Sequence, residues 1–250
     1  MAALQGAYRD PHALYDRARA QDGVVFDPVA NCWLVTDHRA VRSILEDSRF
    51  ASDLKHAGGT RPRIVRRSFL QDAVERQITF MDGPAQQSAQ RVILQETARK
   101  MQALSGSMRE FAAALLQPLR ARGELDLVND FAMPYALRTI CGVFGIPGDD
   151  PARLADLARW SSTVADLTSG YLNIRPEEIT QFGDYFRDLV AARRITPADD
   201  LVSSFLRAGT FEQDEDLVVN CMSAFAAGRV TSQKLIGDGV PMLFPEWGTW

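Results

Sequence analysis

Three cysteines, Cys32, Cys141 and Cys221, and three histidines, His12, His38 and His56, are the residues of this 250-residue chain best suited to hold a metal or act as nucleophiles. Their spacing supports neither role. No CxxC or HExxH sets two of them on one turn, so zinc has no ready ligand set. The cysteines are odd in number and far apart in a chain too long to need staples, so reduced thiols in a cytoplasm are expected. A free cysteine is commonly a small core residue, and Cys141 and Cys221 stand among apolar neighbours. Gly237-Asp238-Gly239 follows a helical pattern rather than a strand and lacks the third glycine of a dinucleotide loop. Neither a P-loop nor a GxSxG elbow occurs. The acid pairs Asp149-Asp150, Glu177-Glu178 and Asp199-Asp200 stand near helix starts, where carboxylates accept otherwise unpaired backbone N–H groups. Capping is their expected role.

Charge narrows the partners. With 28 basic against 32 acidic residues, the net charge is -4, and a nucleic-acid binder would need a cationic excess to displace counterions from phosphates. The cluster Arg61, Arg63, Arg66 and Arg67 is expected to be a solvated face or an anion-facing loop of a small-molecule site. No apolar run approaches the roughly 18 residues that span a bilayer. Residues 1–10 lack the order of a secretory signal, so a soluble intracellular protein is expected.

The elements that must position any site are mostly helical. Asp10-Pro11 opens a short helix that Gly23 ends. Val24 to Phe26 and Cys32 to Val35 flank a turn-rich five-residue stretch and predict a hairpin. Asp37 caps a helix with Ala40, Val41, Ile44 and Leu45 on one face. Residues 52–79 lose periodicity and predict a long loop with one helical turn. Pro84 opens one helical stretch through Met101, and a second runs from Met108 to Gly123. Asp126-Leu127-Val128 suggests a brief extended piece. Helices are predicted from Pro134 to Phe144, from Pro151 to Leu167, from Pro176 to Arg194 and from Asp199 to Ala208. The last begins at Asp214-Glu215-Asp216 and is apolar on nearly every face from Leu217 to Ala227, so it must be buried all round. It continues past Leu235 and Ile236 toward Gly239 and Pro241, and little chain follows to cover it.

The order of these segments resembles the bacterial cytochrome P450 family. Asp10-Pro11-His12-Ala13-Leu14-Tyr15, Trp33-Leu34-Val35-Thr36, Ala40-Val41 with Leu45, and Phe50-Ala51-Ser52 are similar to the family's opening. Phe80-Met81-Asp82-Gly83-Pro84 resembles its FMDPP lead into the C helix. Asp126-Leu127-Val128, Asp130-Phe131-Ala132, Pro134 and the stretch from Ile140 to Pro147 resemble the segments around its D and E helices. Asp199-Asp200-Leu201, then Ala226-Ala227-Gly228 and Thr231, are similar to the approach to and middle of its I helix. The resemblance implies a mainly α fold with a small β-sheet, an incomplete P450-like helical prism. It makes residues 1–250 a single domain that stops after the I helix.

The family clamps a haem between its I helix and a cysteine-bearing loop, and it oxygenates small apolar molecules. This chain ends before any such loop and before the family's ExxR pair. An axial thiolate pushes electron density toward iron and favours O–O cleavage, and none of the three cysteines is expected to supply it. The family's C-helix His and Arg, one turn apart, hold the propionates; by alignment with Phe80 to Pro84 those positions are Gln86 and Gln90. Arg91 is offset by one residue and so turned ~100° away. In the I helix Ala227, Gly228 and Thr231 match, but the acid position is Val230, which cannot relay a proton. Thr231 alone is expected to bond its own backbone.

No haem is therefore expected on this polypeptide as it stands, and no metal. The resemblance leaves two readings open. One is a haem-free auxiliary protein of secondary metabolism whose apolar C-terminal helix a partner covers; haem-free relatives of this family bind and activate glycosyltransferases. The other is the N-terminal part of a haem-thiolate monooxygenase acting on a small apolar substrate. A haem-independent catalyst that folds a substrate in an apolar cavity is a third.

Overall fold

The computed structural model describes residues 11–27, 32–53, 76–168 and 174–243. The cluster of four arginines, His56, Asp10 and Trp250 lie outside the described residues. The chain divides into two compact units, Met1–Ala51 and Ser52–Trp250.

The smaller unit holds helix α1 (Pro11–Arg19), an antiparallel hairpin of β1 (Val24–Asp27) and β2 (Cys32–Val35), and helix α2 (His38–Glu46). Cross-strand register sets Phe26 opposite Trp33, and their rings meet edge-on at 5.2 Å. Gly23 joins α1 to the hairpin at φ +73, and a Cβ there would lie 2.7 Å from Asp37 Cβ. Its carbonyl accepts the Thr36 N–H at 2.7 Å, which closes the open end of the hairpin. Asp37 caps α2 as expected, its Oδ1 accepting from the Ala40 N–H at 2.9 Å. The apolar face expected of α2 is only partly used. Ala40, Val41 and Ile44 are half-buried, whereas Leu45 is 81% exposed.

In the larger unit the Asp82 carboxylate accepts the N–H groups of Ser52 (3.0 Å) and Asp53 (2.8 Å). After a single 3-10 turn at Ile78–Phe80, α3 runs unbroken from Pro84 to Arg122. This corrects the two-helix expectation. The intervening residues are good helix formers, a lone Gly106 costs only about 1 kcal/mol in a helix, and α3 packs along α4 (Met133–Val143) and α7 (Leu201–Ala208). The extended piece expected at Asp126-Leu127-Val128 is also corrected. Only Asp126 is extended, and Leu127–Ala132 forms a π-helical segment. The Asp126 side chain accepts from the Val128 and Asn129 N–H groups at 3.0 and 2.9 Å and so starts the coil in place of a strand.

Helix α4 ends where glycine and proline predict. Ile146 N–H bonds Cys141 O at 2.8 Å and Gly145 N–H bonds Gly142 O at 3.3 Å, with Gly145 at φ +62, the two closing bonds of a Schellman motif. Helices α5 (Pro151–Thr168), α6 (Pro176–Ile195), α7 and α8 (Asp214–Leu243) complete the unit. Phe144, Phe182, Phe186 and Phe225, all fully buried, meet with ring centroids 5.0 to 6.0 Å apart, mostly edge-on. Each such ring contributes roughly 1.5–3 kcal/mol by burial and pairs with its neighbours for more. Phe225 carries α8 into this cluster. Around it α8 packs on α4, α5 and α6, so Leu217 to Met222 are buried on every face, as the sequence requires. The cover of this stretch comes from earlier helices. Beyond Arg229 the helix surfaces, and Leu235, Met242 and Leu243 are 75–77% exposed. Among the described residues no helix is long and apolar enough to cross a membrane.

Candidate functional site on the last helix

The residues that match the family's I helix lie where α8 leaves the core. Gly228 is there for packing: a Cβ on it would lie 2.6 Å from Ile140 Cδ1, so glycine lets α8 approach α4. Thr231 donates its hydroxyl to the Ala227 carbonyl one turn back, at 2.5 Å, and both residues are exposed. That bond is the ordinary fate of a helical threonine. Val230, which the resemblance aligns with the family's acid, is half-buried. Ala227, Thr231, Leu235 and Met242 fall within about 80° of helical arc and so form one open stripe, with Lys234 and Asp238 along it.

Between these residues sits a group that the sequence reading passed over. Arg229 is 3% exposed and makes three side-chain hydrogen bonds: Nε to Ser161 Oγ (2.7 Å), Nη2 to Ser162 Oγ (2.6 Å) and Nη1 to Gln233 Oε1 (2.8 Å). Among the described residues no carboxylate is a partner. The two serines of α5 donate their own protons back to the Leu157 and Ala158 carbonyls, which leaves their lone pairs facing the guanidinium. Burial pushes the Arg229 pKa down to about 10. The group therefore stays charged at neutral pH. The signal was present in sequence: a cation within a helix apolar on all faces must find a polar partner.

Gln86 and Gln90 occupy the first turns of α3, one half-buried and the other exposed. Among the described residues no hydrogen bond joins either to Ala227, Gly228 or Thr231. The stretch just before α3 is tied to α8 instead: Asn220 Oδ1 accepts the Ile78 N–H at 2.8 Å, and Arg76 meets Asp216 at 2.6 Å.

The acids sort by position. Asp150 and Asp200 cap as expected, Asp150 accepting from Ala152 and Arg153 N–H groups and Asp200 from Ser203 N–H at 2.8 Å. Asp199 pairs with Lys100 at 2.5 Å and Arg99 at 3.1 Å, and the Lys100 hydrogen bond, then that of Arg99, holds its carboxyl below the usual range. Glu178 departs from the capping expectation. It is buried in the first turn of α6, where it takes the Thr163 hydroxyl and ion pairs from Arg159 (3.0 Å) and Arg175 (3.2 Å). The side chain is committed to tying α5 to α6.

Whether these residues suit a haem turns on an axial thiolate and on cations for the two carboxylates. Cys141 and Cys221 are buried, and desolvation pushes the Cys141 thiol up to about 12 and the Cys221 thiol up as well. Both are thereby held in the protonated form, opposite to what an iron ligand needs. Cys32 is exposed on the hairpin of the other unit. Among the described residues no cluster of His, Cys, Asp or Glu is grouped to hold a metal ion. The positions that the resemblance aligns with the family's propionate partners are Gln86 and Gln90, which bring no charge. The buried, protonated thiols among the described residues do not fit an axial ligand of the group.

No family model matches the chain. Among curated proteins, the vitamin D(3) 25-hydroxylase of Pseudonocardia autotrophica is 29% identical over 240 residues, which cover 93% of this chain and 57% of that protein. The mycinamicin IV hydroxylase/epoxidase of Micromonospora griseorubida is 30% identical over 219 residues, covering 84% of this chain and 52% of the relative. Among solved structures, that of P450BioI in complex with an acyl carrier protein ligated to hexadec-9Z-enoic acid superposes with a TM-score of 0.82 at 21% identity. The match covers 97% of this chain and 64% of that one. The chain spans about half the length of the curated relatives it matches. Further curated relatives at 24–27% identity over 93% of this chain are bacterial cytochromes P450, and in sequence and in its mainly helical fold with a small sheet the chain is a homologue of them.

Proposed function

We propose that this chain is a cytoplasmic P450-family protein of bacterial secondary metabolism that, as it stands, neither holds haem nor oxidises a substrate. It acts by binding a protein partner, in the manner of the haem-free relatives that activate glycosyltransferases. The observation that carries this reading is the open stripe of α8. Thr231 is spent on its own backbone, and among the described residues Leu235 and Met242, at 75% and 77% exposure, stand on its face beside Lys234 and Asp238. Large apolar side chains left open on one helical stripe, with charges beside them, give a partner a face to bury. The glutamines at 86 and 90 and the neutral buried thiols support the same reading.

The experiment has two arms. Haemin titrated into the purified protein is expected to give no thiolate-type spectrum with carbon monoxide; stoichiometric haem with sulfur coordination overturns the proposal. A glycosyltransferase co-expressed with the chain is expected to co-purify with it, and Leu235→Asp is expected to release it. A monomer indifferent to the enzyme removes the auxiliary role.

The coverage of the relatives favours one other reading, the N-terminal part of a haem-thiolate monooxygenase acting on a small apolar substrate. The matched relatives are hydroxylases of which this chain spans about half. An in-frame ExxR and cysteine loop in the downstream nucleotide sequence would establish it.

A further inference from the structure

A groove of about 160 Å³ opens between α3 and α4, lined by none of the residues of α8. Its apolar wall is Leu104, Met108 and Phe111 of α3. Arg138, Thr139 and Gly142 of α4 form the other side. Its size is close to the ~150 Å³ at which an apolar cavity accepts one benzene ring. Gly142 keeps it open, since a Cβ there would already touch Leu104 Cδ1 at 3.1 Å. Phe111 is held in place, stacked on Tyr135 at 6.4 Å and 9° and faced by the Arg138 guanidinium 5.1 Å from its centroid.

Two polar groups on this wall are under-used. Arg138 donates to the Gly148 carbonyl, and among the described residues it has no carboxylate partner. Thr139 Oγ1 is buried without a hydrogen-bond partner, although a helical threonine can ordinarily bond the carbonyl one turn back, as Thr231 does. A buried orphan hydroxyl is costly and marks a place where an acceptor is missing. A planar guanidinium with no carboxylate partner among the described residues, a fixed aromatic wall with a thioether beside it, and an orphan donor together describe one ligand chemistry.

We propose that the groove between α3 and α4 binds a small aromatic carboxylate. The single ring lies along Leu104, Met108 and Phe111, and the carboxylate takes the free N–H groups of Arg138. The site is independent of haem and of the α8 stripe.

The test is a titration of benzoate into the full chain, followed by heteronuclear NMR. Saturable shifts are expected at the Met108 and Thr139 methyl groups and at Phe111. Benzyl alcohol, with the same ring and no charge, is expected to bind at least ~tenfold more weakly, the loss of one charge-assisted pair. Arg138→Gln is expected to lower benzoate affinity by the same factor. Because that change also removes the Gly148 contact, Ser107→Phe serves as the second variant. Ser107 is exposed at the groove, so a ring there is expected to abolish binding while leaving the melting temperature unchanged. Absence of saturable shifts, equal binding of benzyl alcohol, or full affinity in Arg138→Gln would each overturn the proposal.

Discussion

Replacing Ser161 and Ser162 together by alanine strips two of the three acceptors from the Arg229 guanidinium without touching the charge itself. Hydrogen bonds to a charged group are each worth about 1.5–3 kcal/mol, so the double variant is expected to lose roughly 3–6 kcal/mol. That is a large share of the ~5–15 kcal/mol that holds a typical domain together. The protein cannot escape by shedding the proton, since burial brings the Arg229 pKa down only to about 10. Arg229→Met behaves differently. It removes the desolvated charge, and both serines keep their bonds to the Leu157 and Ala158 carbonyls. Replacing a buried charge network with apolar groups is often neutral or stabilising, so Arg229→Met is expected to stay within about 1–2 kcal/mol of the parent. The triple variant is expected to recover most of what the double loses, with a coupling of at least ~2 kcal/mol. Urea unfolding at pH 7, followed by far-ultraviolet circular dichroism, measures all four midpoints. A double variant that costs less than ~1 kcal/mol, or an Arg229→Met more damaging than it, would refute a buried guanidinium held mainly by the two serine hydroxyls.

Thiol chemistry offers a second check: in the native protein only Cys32 is expected to react with an aromatic disulfide reagent, and Cys141 and Cys221 only after unfolding. Because burial raises the folded Cys141 pKa from 9.0 to about 12, the folded chain keeps a proton that the unfolded chain loses. This contribution is therefore complete below pH 9 and declines as pH rises from 9 to 12, by up to ~1.4 kcal/mol per pH unit. Urea midpoints at pH 8 and pH 10 are expected to differ less in Cys141→Ala than in the parent, and equal differences would contradict the burial. At the end of α4, Gly145→Ala combines a left-handed φ of +62 with a Cβ 2.8 Å from Asp200 Oδ2. A cost of roughly 2–4 kcal/mol is expected, from the ~1–2 kcal/mol of the backbone and the disturbed α7 cap. Gly209→Ala, at φ +60 with nothing within 4 Å, is expected to cost only the backbone part. Comparable melting-temperature losses in the two variants would show that the Asp200 contact carries no weight.

The proposed loss of haem chemistry and the open face of α8 belong together physically. A helix whose first half is sealed by aromatic packing and whose second half is exposed can serve as a lever for association, while its threonine is engaged with its own backbone. The aromatic-carboxylate groove lies on different helices, so failure of either proposal leaves the other standing.

Most of the fold was written locally. Asp37, Asp150 and Asp200 each satisfy N–H groups within three residues, Gly145 and Pro147 end α4, and the apolar run from Leu217 to Ala227 demands burial whatever surrounds it. Such signals act over one or two turns, so sequence alone determines them. The same holds for the family resemblance, which rests on residue identity and order.

What tertiary structure decided are matters of long-range contact. Continuity of α3 depends on α4 and α7 packing along it, and no residue between Gln102 and Ser107 announces that. Leu45 belongs to the apolar face of α2 by periodicity yet stands 81% exposed, because periodicity names a face and cannot say what will cover it. Glu178 looked like a cap and became a buried ion-pair centre only because Thr163 and Arg159 of another helix reach it. Arg229 and the orphan hydroxyl of Thr139 follow the same rule. A residue's type sets what it needs, and only the packed neighbours determine whether the need is met.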